Sequence, residues 1–358
     1  MNKLRNITVL RIGQRGIGLV DLLVALVLSL ILMAGVTQIY VSTRLSNQYS
    51  TNVSRMQESA RYAVDMISKN VRMAGFMPCN TDTIANVVND ASTNPFIDLD
   101  RPIEGADQIS GAASTDWYAN ALDDTDAIKI IYAGGDDETY TVVQHVPTAA
   151  QLKVNRLHPF QDEDILLVCD PFHAAVFQAT NVSSTNMTIV HNVGTGDPGN
   201  CTKGLGWPVV CTANGTAYTF GEGSQVIQLQ AKAYYIGNSS SGSGRSLYER
   251  RLVASTGATT TVSELVQDVE NLQVLFGVDT DDDFVPERYV KAGDVTDWKT
   301  VVTARVWLIV ATPEDLRDYT DSRDFDIAGE TDLAIPTGEE GKHRYVFSST
   351  IQLRNRVL

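Results

Sequence analysis

The chain has 358 residues, with 43 Asp/Glu against 28 Lys/Arg and a formal charge of −15 at pH 7. That length is ample for a buried core. The acidic balance argues against a direct nucleic-acid grip, which needs Lys/Arg to neutralise phosphates. The charge is unevenly placed: residues 1–77 hold nine Lys/Arg and three Asp/Glu, net +6, so the remainder carries −21.

Residues 1–16 form a basic leader with Lys3, Arg5, Arg11 and Arg15, no acid, and the ending Arg15-Gly16. An apolar stretch, Ile17 to Val41, follows at once and contains a single carboxylate, Asp21. As a helix it is long enough to cross a bilayer. The basic flank keeps the N-terminus cytoplasmic and sends everything after Tyr40 to the far side. A charged side chain costs about 2.5–3.5 kcal/mol at the centre of a membrane helix, so Asp21 calls for a partner. The order of parts is wrong for an ordinary secretory signal, whose apolar core precedes its cleavage site and is discarded.

From Ile17 to Phe76 there is no proline, and glycine occurs only at 18, 35 and 75. One helix is therefore expected over 17–77, membrane-spanning over 17–41. Beyond that, Val53, Met56, Ala60, Ala63, Ile67, Val71 and Ala74 recur every three or four residues. They make one apolar stripe that needs a partner surface, most simply the chain's own globular domain. Gly75 followed by Pro78 ends the helix.

Residues 78–358 read as a β-rich globular domain. Strands are expected at Ala127–Tyr132, Thr139–His145, Leu166–Cys169, Ala174–Ala179, Met187–Val190, Gln225–Tyr235, Ser246–Leu252, Leu272–Val278, Val301–Ala311 and Tyr345–Leu353. Gly237–Gly244 reads as a flexible hairpin loop, and Glu264–Asn271 as a short helical turn. A long helix followed by mainly antiparallel strands is α+β. Four cysteines in an oxidising space imply two disulfides. Of three connectivities, the expected one joins Cys79 to Cys169, clipping the helix end to the domain, and Cys201 to Cys211, closing a Gly/Pro-rich loop.

Asp279, Asp281 and Asp283 alternate like the opening of a calcium loop, with Glu287 nearby. Phe284 and Val290 stand where an EF-hand has its glycine and glutamate, so an acidic solvated turn is the competing reading. No cofactor is expected beyond that calcium; zinc would want tighter pairs such as Cys-x-x-Cys, and none occurs. The histidines (His145, His158, His173, His191, His343) show no metal-spaced pair. No nucleophile elbow, Walker loop or zinc-protease helix motif occurs, and nothing calls for an enzyme. Trp117, Trp207, Trp298 and Trp307 are expected in core or loop packing.

The run Gly16-Ile17-Gly18-Leu19-Val20-Asp21-Leu22-Leu23-Val24-Ala25-Leu26 resembles the type III signal of type IV pilins and pseudopilins. Two departures are Ile17, where the family usually has Phe or Met, and Asp21, where it usually has Glu. Further blocks resemble PilW-type minor pilins. They are Arg55–Ala63, Val71–Phe76, Ser246–Arg251, Phe276–Asp281 and Ser348–Arg356. The resemblance implies a pilin-like fold and a precursor cut by a prepilin peptidase after Gly16, with N-methylation of Ile17. It also implies that Asp21 pairs with the terminal amine of a neighbouring subunit. Other minor pilins and the major pilin become the expected partners, with a tip adhesin as a further one, in the inner membrane and then the pilus. A type II secretion pseudopilin and a non-polymerising bitopic membrane protein are the alternatives. For adhesion, Gly194–Gly223 is the segment to inspect.

Overall fold

The computed structural model describes residues 18–79, 83–134, 139–253, 260–333 and 335–356. The chain divides into two compact units, residues 1–52 and 53–358. The helix α1 (Leu19–Met73) runs for 55 residues.

In the first unit, α1 starts with the backbone N–H of Gly18 donating to Asp21 Oδ2 at 3.2 Å, which satisfies one otherwise orphaned donor of the first turn. The carboxylate there also meets the positive end of the helix dipole. The large apolar side chains from Leu19 to Val41 are exposed, Leu19 by 78% and Leu32 by 70%. Two hydroxyls in this stretch are satisfied within the helix. Ser29 donates to the Leu26 carbonyl at 2.9 Å and Thr37 to that of Met33 at 2.8 Å. Neither needs water, as a lipid-exposed helix requires.

In the second unit the apolar stripe is buried: Met56 is 1% exposed, and Ala60, Ala63, Ile67, Val71 and Ala74 are wholly enclosed. The small side chains at 60, 63 and 74 share this core with strand residues such as Ile128 and Val306. The helix stops at Met73, with Gly75 at φ +73°, the left-handed conformation that favours glycine just past a helix. Gly75 N–H donates to the Ile131 carbonyl at 2.8 Å, and its own carbonyl accepts from Asn355 Nδ2.

Among the described residues the strands are β1 (Ile84–Asn86), β2 (Ile103–Ala106), β3 (Ala127–Ala133), β4 (Tyr140–Val146), β5 (Gln151–Val154), β6 (Ile165–Cys169), β7 (Ala174–Gln178), β8 (Asn181–Ser183) and β9 (Thr188–Val190). They continue as β10 (Gln225–Asn238), β11 (Arg245–Leu252), β12 (Thr260–Gln267), β13 (Val269–Val278), β14 (Arg288–Val290), β15 (Val301–Ala311), β16 (Phe325–Ile327), β17 (Glu330–Leu333) and β18 (Arg344–Gln352). Pairing is antiparallel except between β1 and β7, so the class is α+β.

Strand β10 belongs to two neighbourhoods. Its first residues, Gln225–Gln228, pair with β6, and Gln225 and Val226 also with β4. Leu229–Tyr234 pair with β3, and Lys232–Asn238 with β11. The β4, β6 end belongs to a lobe built from β1 and β4–β9. The other end, with β2, β3, β11 and β12, joins a second sheet, β14-β13-β15-β18, to form a cradle for α1. One apolar core unites the helix stripe with Ile128, Tyr234 and Leu247 of the first sheet and Leu272, Val306 and Leu308 of the second.

Two expectations change. Glu264–Asn271 is not a helical turn: it is the end of β12 and the start of β13, joined through Asp268 at φ +62°. β-branched Val266 and Val269 face the core, and that burial decides for extended backbone. The Ser/Gly loop after β10 is tied down rather than open. Glu264 accepts from Ser239 Oγ at 3.0 Å, Ser246 Oγ at 2.6 Å and the Ser240 hydroxyl.

Candidate functional site

The chain offers two surfaces with chemical content: the unburied apolar half of α1 and the seam where its second half meets the cradle. In the first, Asp21 is the single carboxylate of a mainly apolar surface, in the first turn of the helix. Gly16 and Ile17 lie outside the described residues.

The seam has a polar key in its apolar packing. Asn70, on α1, donates from Nδ2 to Tyr234 Oη at 2.8 Å and to the Met66 carbonyl at 2.9 Å. Its Oδ1 accepts from Tyr132 Oη at 3.1 Å. Tyr234 Oη in turn donates to Glu249 Oε2 at 2.9 Å, and Lys232 Nζ lies 3.5 Å from the same oxygen. Burial, together with the Glu249 charge, pushes the Tyr234 phenol well above its ordinary range. The hydroxyl therefore stays protonated and keeps donating. A satisfied buried network of this kind fixes one rotation and one axial setting of the helix, because any slip strands several polar groups at once. Sequence reasoning missed this key. The available signal was Asn70 beside the stripe, together with Tyr and Glu at alternating strand positions.

Deeper in the cradle, Arg344 is fully buried and grips Glu270 with two hydrogen bonds, Nε to Oε2 at 2.5 Å and Nη2 to Oε1 at 2.8 Å. Asp126 accepts backbone N–H bonds from Gln108 at 3.0 Å and Val274 at 2.8 Å. Burial raises its carboxyl to about 7 in spite of those donors.

The acidic loop does assemble. One carboxylate oxygen from each of Asp279, Asp281, Asp283 and Glu287 lies within 4.8 Å of the others. Much of that acceptor capacity is spent on the loop itself. Asp279 Oδ1 takes the N–H groups of Asp281 (3.1 Å) and Asp282 (2.8 Å), and its Oδ2 that of Phe284 (2.7 Å). Glu287 Oε2 takes Thr280 N–H at 2.7 Å, and Asp283 Oδ1 takes Val285 N–H at 2.8 Å. Desolvation opposes the Asp279 charge, but those donors outweigh it and hold its carboxyl below the usual range. Asp281 moves the other way, raised chiefly by the adjacent Asp283 charge. The arrangement closes an acidic turn from within.

The disulfides join Cys79 to Cys169 and Cys201 to Cys211, with Cα atoms 6.0 and 4.9 Å apart. Of the tryptophans, Trp298 packs edge-on to Phe276 at 4.9 Å and Trp117 against Tyr118 at 5.0 Å. Trp307 is half-buried near Arg305, whereas Trp207 is 58% exposed on the Cys201–Cys211 loop. The histidines, scattered in sequence, are partly gathered in space: His145 and His191 lie with ring centres 5.5 Å apart.

A long N-terminal helix, apolar and exposed along its first half and docked on antiparallel sheets along its second, defines the pilin-like class. Residues 233–355 match the model of the family described as PilW, Type IV Pilus-assembly protein W, and the match supports a PilW-type pilus protein. The matched stretch starts in β10 and takes in β11–β18, which supply most of the cradle; the lobe lies outside it. No curated protein matches the chain, and no solved structure does. The pilus-assembly family and the apolar helix, long enough to cross a bilayer, together fit membrane anchoring.

Proposed function

We propose that the chain is a minor pilin of a type IV pilus that helps prime fibre assembly within a tip-located complex of minor pilins. The observation that carries this reading is the division of α1. One half is an apolar surface with a single carboxylate, and the other is keyed into a β-domain. An apolar rod leaves a bilayer only where other apolar rods replace the lipid, so such subunits bundle helix to helix. On this reading a prepilin peptidase cuts after Gly16 and methylates Ile17, and the new amine of a neighbour pairs with Asp21. Paired, the two charges offset the desolvation that each would suffer alone. Its partners are other minor pilins and the major pilin, with a tip adhesin as a further one. It is held in the inner membrane with a periplasmic β-domain before entering the pilus. Twitching motility and adhesion are the functions served, and no catalytic step is part of the role.

Mass spectrometry of the protein purified from its own cells tests the reading. A chain beginning at methylated Ile17 is expected, and an intact Met1 would make it a non-polymerising anchor instead. Deleting the gene is expected to abolish pili and twitching; loss of exoprotein release in their place would assign it to type II secretion. Asp21→Ala is expected to insert in the membrane yet fail to enter pili, and normal piliation in that variant removes the pairing role. The acidic loop enters as a self-closed turn, with calcium as its alternative ligand. Calorimetric titration of the full-length protein in detergent, beside Asp281→Asn, separates the two.

A further inference from the structure

The segment between β9 and β10, residues 191–224, lies over the lobe core and contributes Leu205 and Phe220, each 1% exposed. Two imidazoles from elsewhere in the lobe hold its backbone. His145, on β4, accepts the Phe220 N–H at Nδ1, 3.1 Å away. His173, in the turn after β6, has Nε2 2.7 Å from the Leu205 carbonyl. A carbonyl only accepts, so His173 donates there and does so in either charge state. His145 is different, because its contact needs a bare nitrogen.

His191, at the root of the segment, is fully buried. It meets the His145 ring at 5.5 Å and the Phe177 ring at 5.3 Å. His145 Nε2 and both ring nitrogens of His191 are buried without a hydrogen-bond partner. A neutral imidazole tolerates that setting far better than an imidazolium.

The charged and titratable groups around the pair offer no compensation. Lys203 Nζ, on the Thr148 carbonyl at 3.1 Å, opposes a proton on His191. His173 and Tyr218 lie beyond Phe220, with the Tyr218 hydroxyl donating to Asp170 Oδ2 at 2.8 Å. Asp170 Oδ1 accepts the N–H groups of Phe172 and His173. Burial pushes His145 down to about 4, and burial, reinforced by His145 and Lys203, pushes His191 down to about 3.

We propose that His145 and His191 form an acid-sensitive latch on the 191–224 segment, closed while both rings are neutral and released when either is protonated. Protonated Nδ1 of His145 would face the Phe220 N–H donor to donor. A charged His191 would have only its own backbone carbonyl to offset burial beside His145 and Lys203. Release uncovers Leu205 and Phe220 and frees the loop that displays Trp207. Both native values lie below the ordinary histidine value of 6.5, so closure is fully supported above that pH and weakens as pH falls toward 4 and then 3. In that window the opening equilibrium grows by about tenfold per histidine for each pH unit.

Hydrogen–deuterium exchange on the full-length protein in detergent micelles, corrected for intrinsic exchange at pH 7, 6 and 5, reads the latch. Peptides within 191–224 are expected to lose at least about tenfold in protection by pH 5, while those of β13 and β15 hold. His145→Gln/His191→Phe keeps an acceptor for Phe220 N–H without a titrating ring and is expected to abolish the acid loss. Equal protection of the wild-type segment at pH 7 and 5 overturns the proposal. So does an acid loss unchanged in the double variant, or one shared equally by β13. Should that variant fail to fold, the pH slope of the wild-type segment decides alone.

Discussion

Cradle and lobe share one strand and one long sheet, yet they are held together differently. The cradle is packed: an unbroken apolar stripe on α1 meets two sheets, with Asn70, Tyr132, Tyr234 and Glu249 as a polar key and Arg344–Glu270 as a buried ion pair. The lobe is stapled. Its strands are short, the connection from β9 to β10 is long, and the disulfide Cys79–Cys169 spans 90 residues of chain. The family match follows the same line, covering the C-terminal part of the cradle and none of β1–β9. The match thus falls on strands that seat the helix, not on the helix itself or the lobe.

That contrast can be broken or sharpened by substitution. The largest effect is expected from replacing Cys79 and Cys169 together by serine. The loop released is long, and about 4–5 kcal/mol of stability should vanish in denaturant titrations. A loss below about 1 kcal/mol would show that packing alone holds the lobe. In the cradle, Ile67→Ala is expected to cost about 3 kcal/mol, the removed methyl groups plus the cavity they leave. Thermal melts of the same variant should show the helix loosening without change at the disulfides.

Asp126 gives a smaller, pH-dependent effect of opposite sign to that of the lobe histidines. Its native carboxyl sits at about 7, above the ordinary value of 3.8. Its contribution is therefore complete below 3.8 and is lost as pH rises through 7, with roughly 2–3 kcal/mol of the loss falling between pH 5 and 8. Urea titrations at pH 5 and 8 should show that slope in the wild type and not in Asp126→Asn. The smallest change is Tyr234→Phe, about 1 kcal/mol for two surrendered hydrogen bonds at constant volume. If that variant were neutral, the key would set geometry without adding stability.

Much of the cradle was legible beforehand. The stripe from Met56 to Ala74 is buried as its spacing implied, and Val301–Ala311 has the expected bounds. Long periodic segments announce themselves, because one face must be apolar along its whole length. The lobe was read less well. β1, β5 and β8, like β2 in the cradle, are three or four residues long, too short for any period, and exist because neighbours offer hydrogen-bond partners. β12 was misread for a related reason: its pairing with β11 is non-local information. The His145–His191 contact was invisible because His145 lies on β4 and His191 just past the end of β9, and they meet only through the sheet order β4-β5-β9. The acidic loop was the reverse case. Its spacing was plain, but the self-bonding of Asp279 depends on turn geometry that spacing does not encode.

Strand β10, fourteen residues long and enrolled at its two ends by different neighbours, has a mechanical consequence. Tension applied to the lobe runs along this strand into β3 and β11, where it must shear many hydrogen bonds simultaneously instead of peeling them singly. Load entering at the lobe end of β10 would therefore reach the strands that seat the helix through these ladders, not through a loop.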